Sequence, residues 1–469
     1  EAGFTAASTI AVRNVVGLDD TYRVQAIRTV PSVNTDPVTY SSFPQTVYNG
    51  DNNYQWYCYN ANQNNFVSVF RRNDGSYNYA GAARVLGMSS TTGDMGGGTG
   101  VTYEYHSNFS DGNYVIEIPG TDKVLISYRN GQSGTDDLRA VIGTIASSAI
   151  TFGSYEQFSG NASNVAHVTG YDSNRNEIIF NYYRSAQYYR IGTISGTTIT
   201  VNAEQSSPFT GSIDNQYKAK ITDLGSSSIM FTQRDTSNSN YGTCVIGTNG
   251  GTSISWGTKY VFESNSTASI DVSYDSANSK ALIAYRPGGG SSADDGVAKI
   301  ASISGTTITF GTLATFAANI SISSYISTHY DSDIERHVIT FADADSSNYP
   351  KTKCAVVTGT NITFETASTI ASDTVNDYVQ SSYRQSTNQS SVIFKNNSTS
   401  HIQAYGSTPT LADTIIPKVG SQQNFIGVAQ TAAASGSAVT VAFPGSAQTG
   451  FTGLLAGSGY YVDPTTSGF

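Results

Sequence analysis

The stretch Tyr274-Asp275-Ser276-Ala277-Asn278-Ser279-Lys280-Ala281-Leu282-Ile283-Ala284-Tyr285-Arg286, continued by Val297-Ala298-Lys299-Ile300-Ala301 and Gly305-Thr306-Thr307-Ile308-Thr309-Phe310, decides the fold. It reads as strand, tight turn, strand, glycine-rich break, strand, hairpin and strand, which is one four-stranded blade. Alternating Thr and Ile or Phe suit a strand with one face packed and the other carrying hydroxyls to water. Nothing in it has helical period. Tyr171-Asp172, Glu177-Ile178-Ile179-Phe180 and Gly196-Thr197-Thr198-Ile199-Thr200 copy the unit, as do Tyr330-Asp331, His337-Val338-Ile339-Thr340-Phe341 and Gly359-Thr360-Asn361-Ile362-Thr363-Phe364.

Working outward, strands ending in an aromatic residue recur seven times, at Phe70, Tyr128, Phe180, Phe231, Tyr285, Phe341 and Phe394. Their spacing of about 51 to 58 residues falls in the range of propeller blades. The last strands give a second series, Tyr40, Tyr103, Phe152, Val201, Trp256, Phe310 and Phe364, which begins earlier and stops earlier. Pairing the leftover strand at the start with the leftover blade at the end closes the ring and removes two open edges. The expectation is an all-β, seven-bladed propeller of four-stranded blades. Residues 1–48 supply closing strands, 49–420 the repeats and 421–469 a small C-terminal β module. Val24-Gln25-Ala26-Ile27 and Ile402-Gln403-Ala404-Tyr405 compete for the third strand of the closing blade.

The 469 residues include 45 Gly and 31 Tyr, only 13% are charged, and the net charge is −10. That balance argues against nucleic acid and anionic membrane as partners. No stretch is apolar enough for a membrane helix. Cys58, Cys244 and Cys354 are an odd set in different blades and read as small buried residues, not a disulfide framework. The five histidines lack zinc spacing. Asp343-Ala344-Asp345-Ser346-Ser347-Asn348 alternates oxygen ligands but lacks the glycine and distal glutamate of a calcium loop. No metal and no cofactor are expected. In the Tyr-Asp dipeptides the Asp is read as a turn cap and the Tyr as packing between blades.

From about Gln423 the period ends, and Phe425-Ile426-Gly427, Val439-Thr440-Val441 and Gly453-Leu454-Leu455-Ala456-Gly457-Ser458-Gly459-Tyr460-Tyr461-Val462 follow. This succession resembles a small β module near the ends of tail-fibre and appendage proteins of marine bacteriophages, and the Ile-Ser-Gly-Thr-Thr-Ile-Thr-Phe unit is similar to their repeats. The resemblance implies a structural virion protein that assembles with copies of itself and other tail proteins, and that presents a surface to a host.

The alternative is a secreted or cell-surface carbohydrate-binding propeller. Its candidate ligand residues are the tyrosine-rich clusters Tyr54, Trp56, Tyr57, Tyr182, Tyr183, Tyr188 and Tyr189, since ring faces stack on sugar C–H groups. Packing between blades and subunit contact are the competing uses of the same rings. An enzyme is disfavoured. Glu104, Glu117, Glu177, Asp333, Glu335 and Asp343 are available carboxylates, but spacing alone sets no pair across a common cleft. The glycines from Gly93 to Gly100 read as a flexible loop or hairpin.

Overall fold

A computed structural model describes residues 2–5, 15–18, 24–26, 40–41, 44–48, 55–72, 80–105, 110–132, 135–160, 166–213, 219–288, 294–320, 326–332, 334–407, 425–429 and 438–442. Two compact units divide it, residues 35–410 and the two ends, 1–34 with 411–469. The larger unit is a seven-bladed propeller. Its innermost strands are Trp56–Asn60, Ser110–Ile118, His167–Asp172, Ala219–Gly225, the second half of Tyr260–Asp275, Ser327–Asp331 and Val375–Arg384. Each of them neighbours the next, and the last neighbours the first.

The register of each blade is set at the turn between its first and second strands. Asp172 accepts from the backbone N–H groups of Asn174 and Arg175, and Asp275 from those of Ala277 and Asn278. Asn64, Asn176, Ser227, Ser279, Glu335 and Asn388 close this turn in six blades at φ between 52° and 58°. Asn favours that left-handed conformation. In three blades a tyrosine at the end of the first strand bonds across the turn to its left-handed residue: Tyr59, Tyr171 and Tyr383 donate to Oδ1 of Asn64, Asn176 and Asn388. Of the Tyr-Asp dipeptides, Tyr171 thus braces its own turn, whereas Tyr330 bonds Asp275 of the preceding blade, as a packing role between blades would have it.

Counting from that turn brings Phe70, Tyr128, Tyr182, Gln233, Tyr285, Phe341 and Phe394 into one row. Phe180 and Phe231, which the sequence period had suggested for blades 3 and 4, lie two positions earlier. They still do the same work. At six seams a second-strand aromatic meets an aromatic from the end of the preceding blade: Tyr48–Phe70, Tyr103–Tyr128, Phe158–Phe180, Phe209–Phe231, Phe262–Tyr285 and Phe316–Phe341, with centroids 4.1 to 5.2 Å apart. At the remaining seam Ile370 packs in the same cluster as Phe394.

Fourth strands come in two pieces, for example Thr307–Phe310 and Ala314–Ala317, both paired with Gly296–Ser304. Between the pieces one backbone N–H returns to the third strand. The seven donors are Gly98, Gly153, Asn202, Gly257, Gly311, Glu365 and Ser41, and they reach Val85, Ile142, Ile191, Ile246, Ile300, Cys354 and Gly406 at 2.8 to 3.1 Å. Ser41 belongs to this series and its acceptor is more than 360 residues away in sequence. Together with the pairing of Gln45–Tyr48 to Ile402–Gly406, it makes blade 7 a joint product of both ends of the propeller. Ile402–Gly406 is the third strand there. Val24–Ala26 is not.

Glycine at the break follows a rule. It occurs where the next blade has a two-residue hairpin, whose backbone comes too close for a side chain. A Cβ on Gly153 would lie 2.6 Å from Thr197 O, and one on Gly257 2.9 Å from Thr306 Cβ. Gly98 and Gly311 meet the carbonyls of Ser148 and Thr360 more closely still. Asn202 and Ser41 face the longer hairpins that close at Asn249–Ile254 and Met88–Met95, and Glu365 faces blade 7, which has no hairpin. Gly311→Ala is therefore expected to cost about 1–3 kcal/mol by overpacking. Urea titration of this variant against the native chain measures the loss.

In the smaller unit the strand order is Ala2–Thr5, Ala438–Ala442, Phe425–Ala429, Val15–Leu18 and Val24–Ala26, antiparallel throughout. This corrects the expectation that residues 1–48 serve the propeller alone. Of their described residues, only those from Tyr40 onward do so. The early strands complete a sheet with the C-terminal ones because neither set has enough strands to bury a face. Gly453 to Val462 lies outside the described residues.

Candidate functional site

Most of the tyrosine-rich clusters are spent on packing. Trp56 lies 4.4 Å from the Tyr114 ring, and Tyr57 stacks on Phe66 and shares a hydrogen bond with Ser391 Oγ. Tyr182 is fully buried and donates to Glu204 Oε2 at 2.6 Å, and buried Tyr189 accepts from the Ile254 N–H at 2.9 Å. Tyr183 and Tyr188 are half-buried, and the Arg184 guanidinium sits 5.5 Å from the Tyr188 ring. Tyr54 lies outside the described residues. The correction has a simple cause. A blade buries both faces against its neighbours, so alternation does not mark a solvent face.

The described carboxylates are also committed, while Asp333 lies outside the described residues. Asp343 caps a short turn and pairs with Lys351 at 2.5 Å, so the segment from Asp343 is no calcium loop. Glu104 binds Arg139 and the Tyr128 hydroxyl, both at 3.1 Å. Among the described residues no group of three or more His, Cys, Asp or Glu is arranged to hold a metal ion. The cysteines are free. Burial raises the thiol pKa of each.

What stands out is one departure from the repeat. The last residue of the first piece of the fourth strand is Phe152, Val201, Trp256, Phe310 and Phe364 in blades 2 to 6, and Tyr40 in blade 7. In blades 2 to 6 its partner on the third strand is Gly143, Gly192, Gly247, Ala301 and Ala355, small residues that make room for the ring or branch. These side chains cover the seam: Phe152 packs edge-on to Tyr103, Phe310 to Phe262 and Phe364 to Phe316. Blade 1 reverses the pair. Its third strand carries Leu86 and its fourth carries Gly97.

With the cover absent, the seam between blades 7 and 1 opens into a cavity of about 560 Å³. Tyr48 and Phe70 form its aromatic wall, 5.1 Å apart and 29° from parallel. Gly97, Gly98, Thr99 and Gly100 form the opposite rim, with Thr46, Arg72 and Arg84 completing the lining. Of the two forms expected for the glycine run, a flexible loop or a hairpin, the structure has the hairpin: Met95–Gly97 is a short strand paired with the end of Ala80–Met88, and it borders the groove. Arg84 clamps the seam, donating from Nη1 to Thr46 O and Val47 O and from Nε to Gly98 O at 2.6 to 2.7 Å. Sequence reading overlooked this site because its signal is a missing aromatic, and the period had placed Tyr103, not Gly97, at the position concerned.

A second cavity, of about 410 Å³, opens on the axis beside the turns of the first strands. Its charged groups are already engaged. Glu117 accepts from the Ala61 N–H, Asp223 from Ser173 and Gly225, and Lys220 pairs with Asp271 at 2.8 Å. They tie neighbouring turns into a rim.

No family profile and no curated protein matches the chain. Solved structures with a similar chain path include the NanB sialidase of Streptococcus pneumoniae, at 11% identity and a TM-score of 0.44 over 83% of this chain and 75% of that one. The AofleA protein of Arthrobotrys oligospora shares 10% identity, with a TM-score of 0.45 over 73% and 94%. The Aleuria aurantia lectin shares 12%, with a TM-score of 0.40 over 71% and 98%. The blade count and the groove rest on the strand pairings above.

Proposed function

We propose that this chain is a non-enzymatic carbohydrate-binding propeller that works outside the cell or on a virion, with the groove between blades 7 and 1 as its saccharide site. The observation that carries this reading is the Leu86/Gly97 exchange, which leaves an aromatic wall open at one seam while a side chain stands at that position in every other blade. The half-buried Tyr48 ring offers a face to pyranose C–H groups, while Thr46, Thr99 and the guanidinium groups bond hydroxyls. Among the described residues the lining of the groove is aromatic, hydroxyl-bearing, glycine-rich and cationic, which suits holding a sugar more than cleaving one. The setting is carried by the sequence resemblance of residues 425–462, and the binding reading does not depend on it. Assembly with copies of itself or other virion proteins, as the resemblance implies, would turn one weak groove per chain into tight multivalent attachment.

Thr99→Trp is the decisive variant, because Thr99 is exposed and a large ring there refills the groove. On a glycan array followed by calorimetry, the native chain should bind a defined saccharide set and the variant should bind it at least about tenfold more weakly, with unfolding unchanged. Equal binding by both proteins, or none by the native chain, would sink the proposal.

A further inference from the structure

At the turn end of the first strands, one register level carries a tyrosine in five blades. These are Tyr59, Tyr171, Tyr274, Tyr330 and Tyr383, paired with Phe66, Ile178, Ala281, His337 and Ser390. Blades 2 and 4 depart from the repeat and carry an acid instead, Glu117 opposite Val124 and Asp223 opposite Ile229. Both acids line the axial cavity of about 410 Å³, together with Tyr59, Tyr171 and Tyr383, and with Trp56 and Tyr114 further along the strands. The three tyrosine hydroxyls are tied to the asparagines of their own turns, which fixes the rings and leaves their carbon frames as the cavity wall.

The charges of this cavity do not balance. Lys220 is neutralised by Asp271, 2.8 Å away. Asp223 accepts one backbone N–H on each oxygen, from Gly225 and Ser173, whereas Glu117 is committed at Oε1 alone, to the Ala61 N–H at 2.6 Å. Among the described residues neither carboxylate pairs with a cation, and Glu117 Oε2 accepts no hydrogen bond. Burial raises the Glu117 pKa and the Ala61 N–H restores only part of it, the mark of a carboxylate that has lost water without gaining a positive partner. The same wall already accepts one ammonium group: Lys220 Nζ lies 5.7 Å from the Trp56 ring centroid. Aromatic faces beside an uncompensated carboxylate fit a second one.

We infer that the axial cavity binds a primary alkylammonium group, which donates to Glu117 Oε2 and sets its charge against the aromatic wall. An N–H donor is required because the open acceptor is a carboxylate oxygen. The site is separate from the seam groove, and nothing in the inference depends on the saccharide reading.

The chain has two tryptophans, of which Trp56 lines the cavity and Trp256 does not, so their indole N–H signals in an NMR titration distinguish binding there from binding elsewhere. The probes are n-butylammonium and its neutral counterpart n-butanol, added to the full chain at neutral pH. Butylammonium should move the Trp56 signal saturably and leave that of Trp256 in place, and butanol should bind at least about tenfold more weakly. Glu117→Gln keeps an oxygen for the Ala61 N–H and removes the charge, so the gap between the probes should close while the melting temperature is preserved. Pro119 is exposed and lines the cavity, so Pro119→Lys supplies an ammonium group from the chain itself and should displace the probe. Equal response to the two probes, no saturable movement of the Trp56 signal, or undiminished butylammonium binding in either variant overturns the inference. The saccharide reading stands in each of these cases.

Discussion

A chain cut to residues 35–410 is expected to unfold cooperatively like the whole protein, and one cut to 55–410 is expected not to fold at all. The twenty residues that distinguish them include the closing strand Gln45–Tyr48, whose register runs Ile402 to Tyr48, Gln403 to Thr46 and Ala404 to Gln45. Its loss removes the Tyr48–Phe70 pair, the buried Val47, both Nη1 acceptors of Arg84 and the Ser41 N–H bond to Gly406. Val47 alone contributes about 1.5–3 kcal/mol by burial. Losing the ladder and aromatic contacts as well approaches the 5–15 kcal/mol that holds an entire domain. It also bares Ile402–Gly406 as a sheet edge open to other chains. Circular dichroism melts and sedimentation of the two chains settle the matter. A sharp melt and a clean monomer from 55–410 would show that six blades and three strands of the seventh suffice.

Mild acid should be the second large perturbation. His167 and His337 are buried and His329 is half-buried, and all three are held neutral, their pKa values lowered by desolvation to about 3 for His167, about 4 for His337 and about 3 for His329. The nearby His337 presses His329 down further, whereas Asp275 partly restores His337. Their ring nitrogens engage hydroxyls and no carboxylates: His329 bonds Ser381 and Ser390, His337 bonds Ser273 and His167 bonds Ser127. In the unfolded chain each titrates near 6.5. Between that value and the folded pKa the unfolded state binds more protons, so stability is full above about pH 6.5 and falls as pH drops toward 4. Three such groups amount to roughly 5 kcal/mol between about pH 6.5 and 5. Urea midpoints across that interval should fall steeply, and less steeply in His329→Gln. A flat midpoint from about pH 7 to 5 would mean that these rings are solvated.

Much of the architecture was legible because it is periodic. Seven apolar strands with aromatic ends and the leftover Tyr40 strand sufficed to place the blades and their closure. Register was harder, since Phe180 and Phe231 mimic the repeat from two positions away, and the left-handed turn residue that sets the count can be Asn, Ser or Glu. The packing of several candidate rings was hidden for a related reason. Sequence shows where tyrosines are dense, but a propeller consumes such rings at its seams, and Tyr182 and Tyr189 show no outward mark of it. The informative positions were Leu86 and Gly97, whose meaning appears only when the third and fourth strands are set side by side.

That exchange leaves the rest of the blade in place. Leu86 and Gly97 share between them the bulk that Gly143 and Phe152, or Ala355 and Phe364, share in the opposite order. The ladder, the glycine break and the turn persist around it. On the saccharide reading proposed above, the valency of such a wheel is an adjustable number, fixed by how many spokes carry the bulk on the inner rail instead of the outer one, and this chain, with one open spoke, would be a monovalent member of a series that the same scaffold could extend.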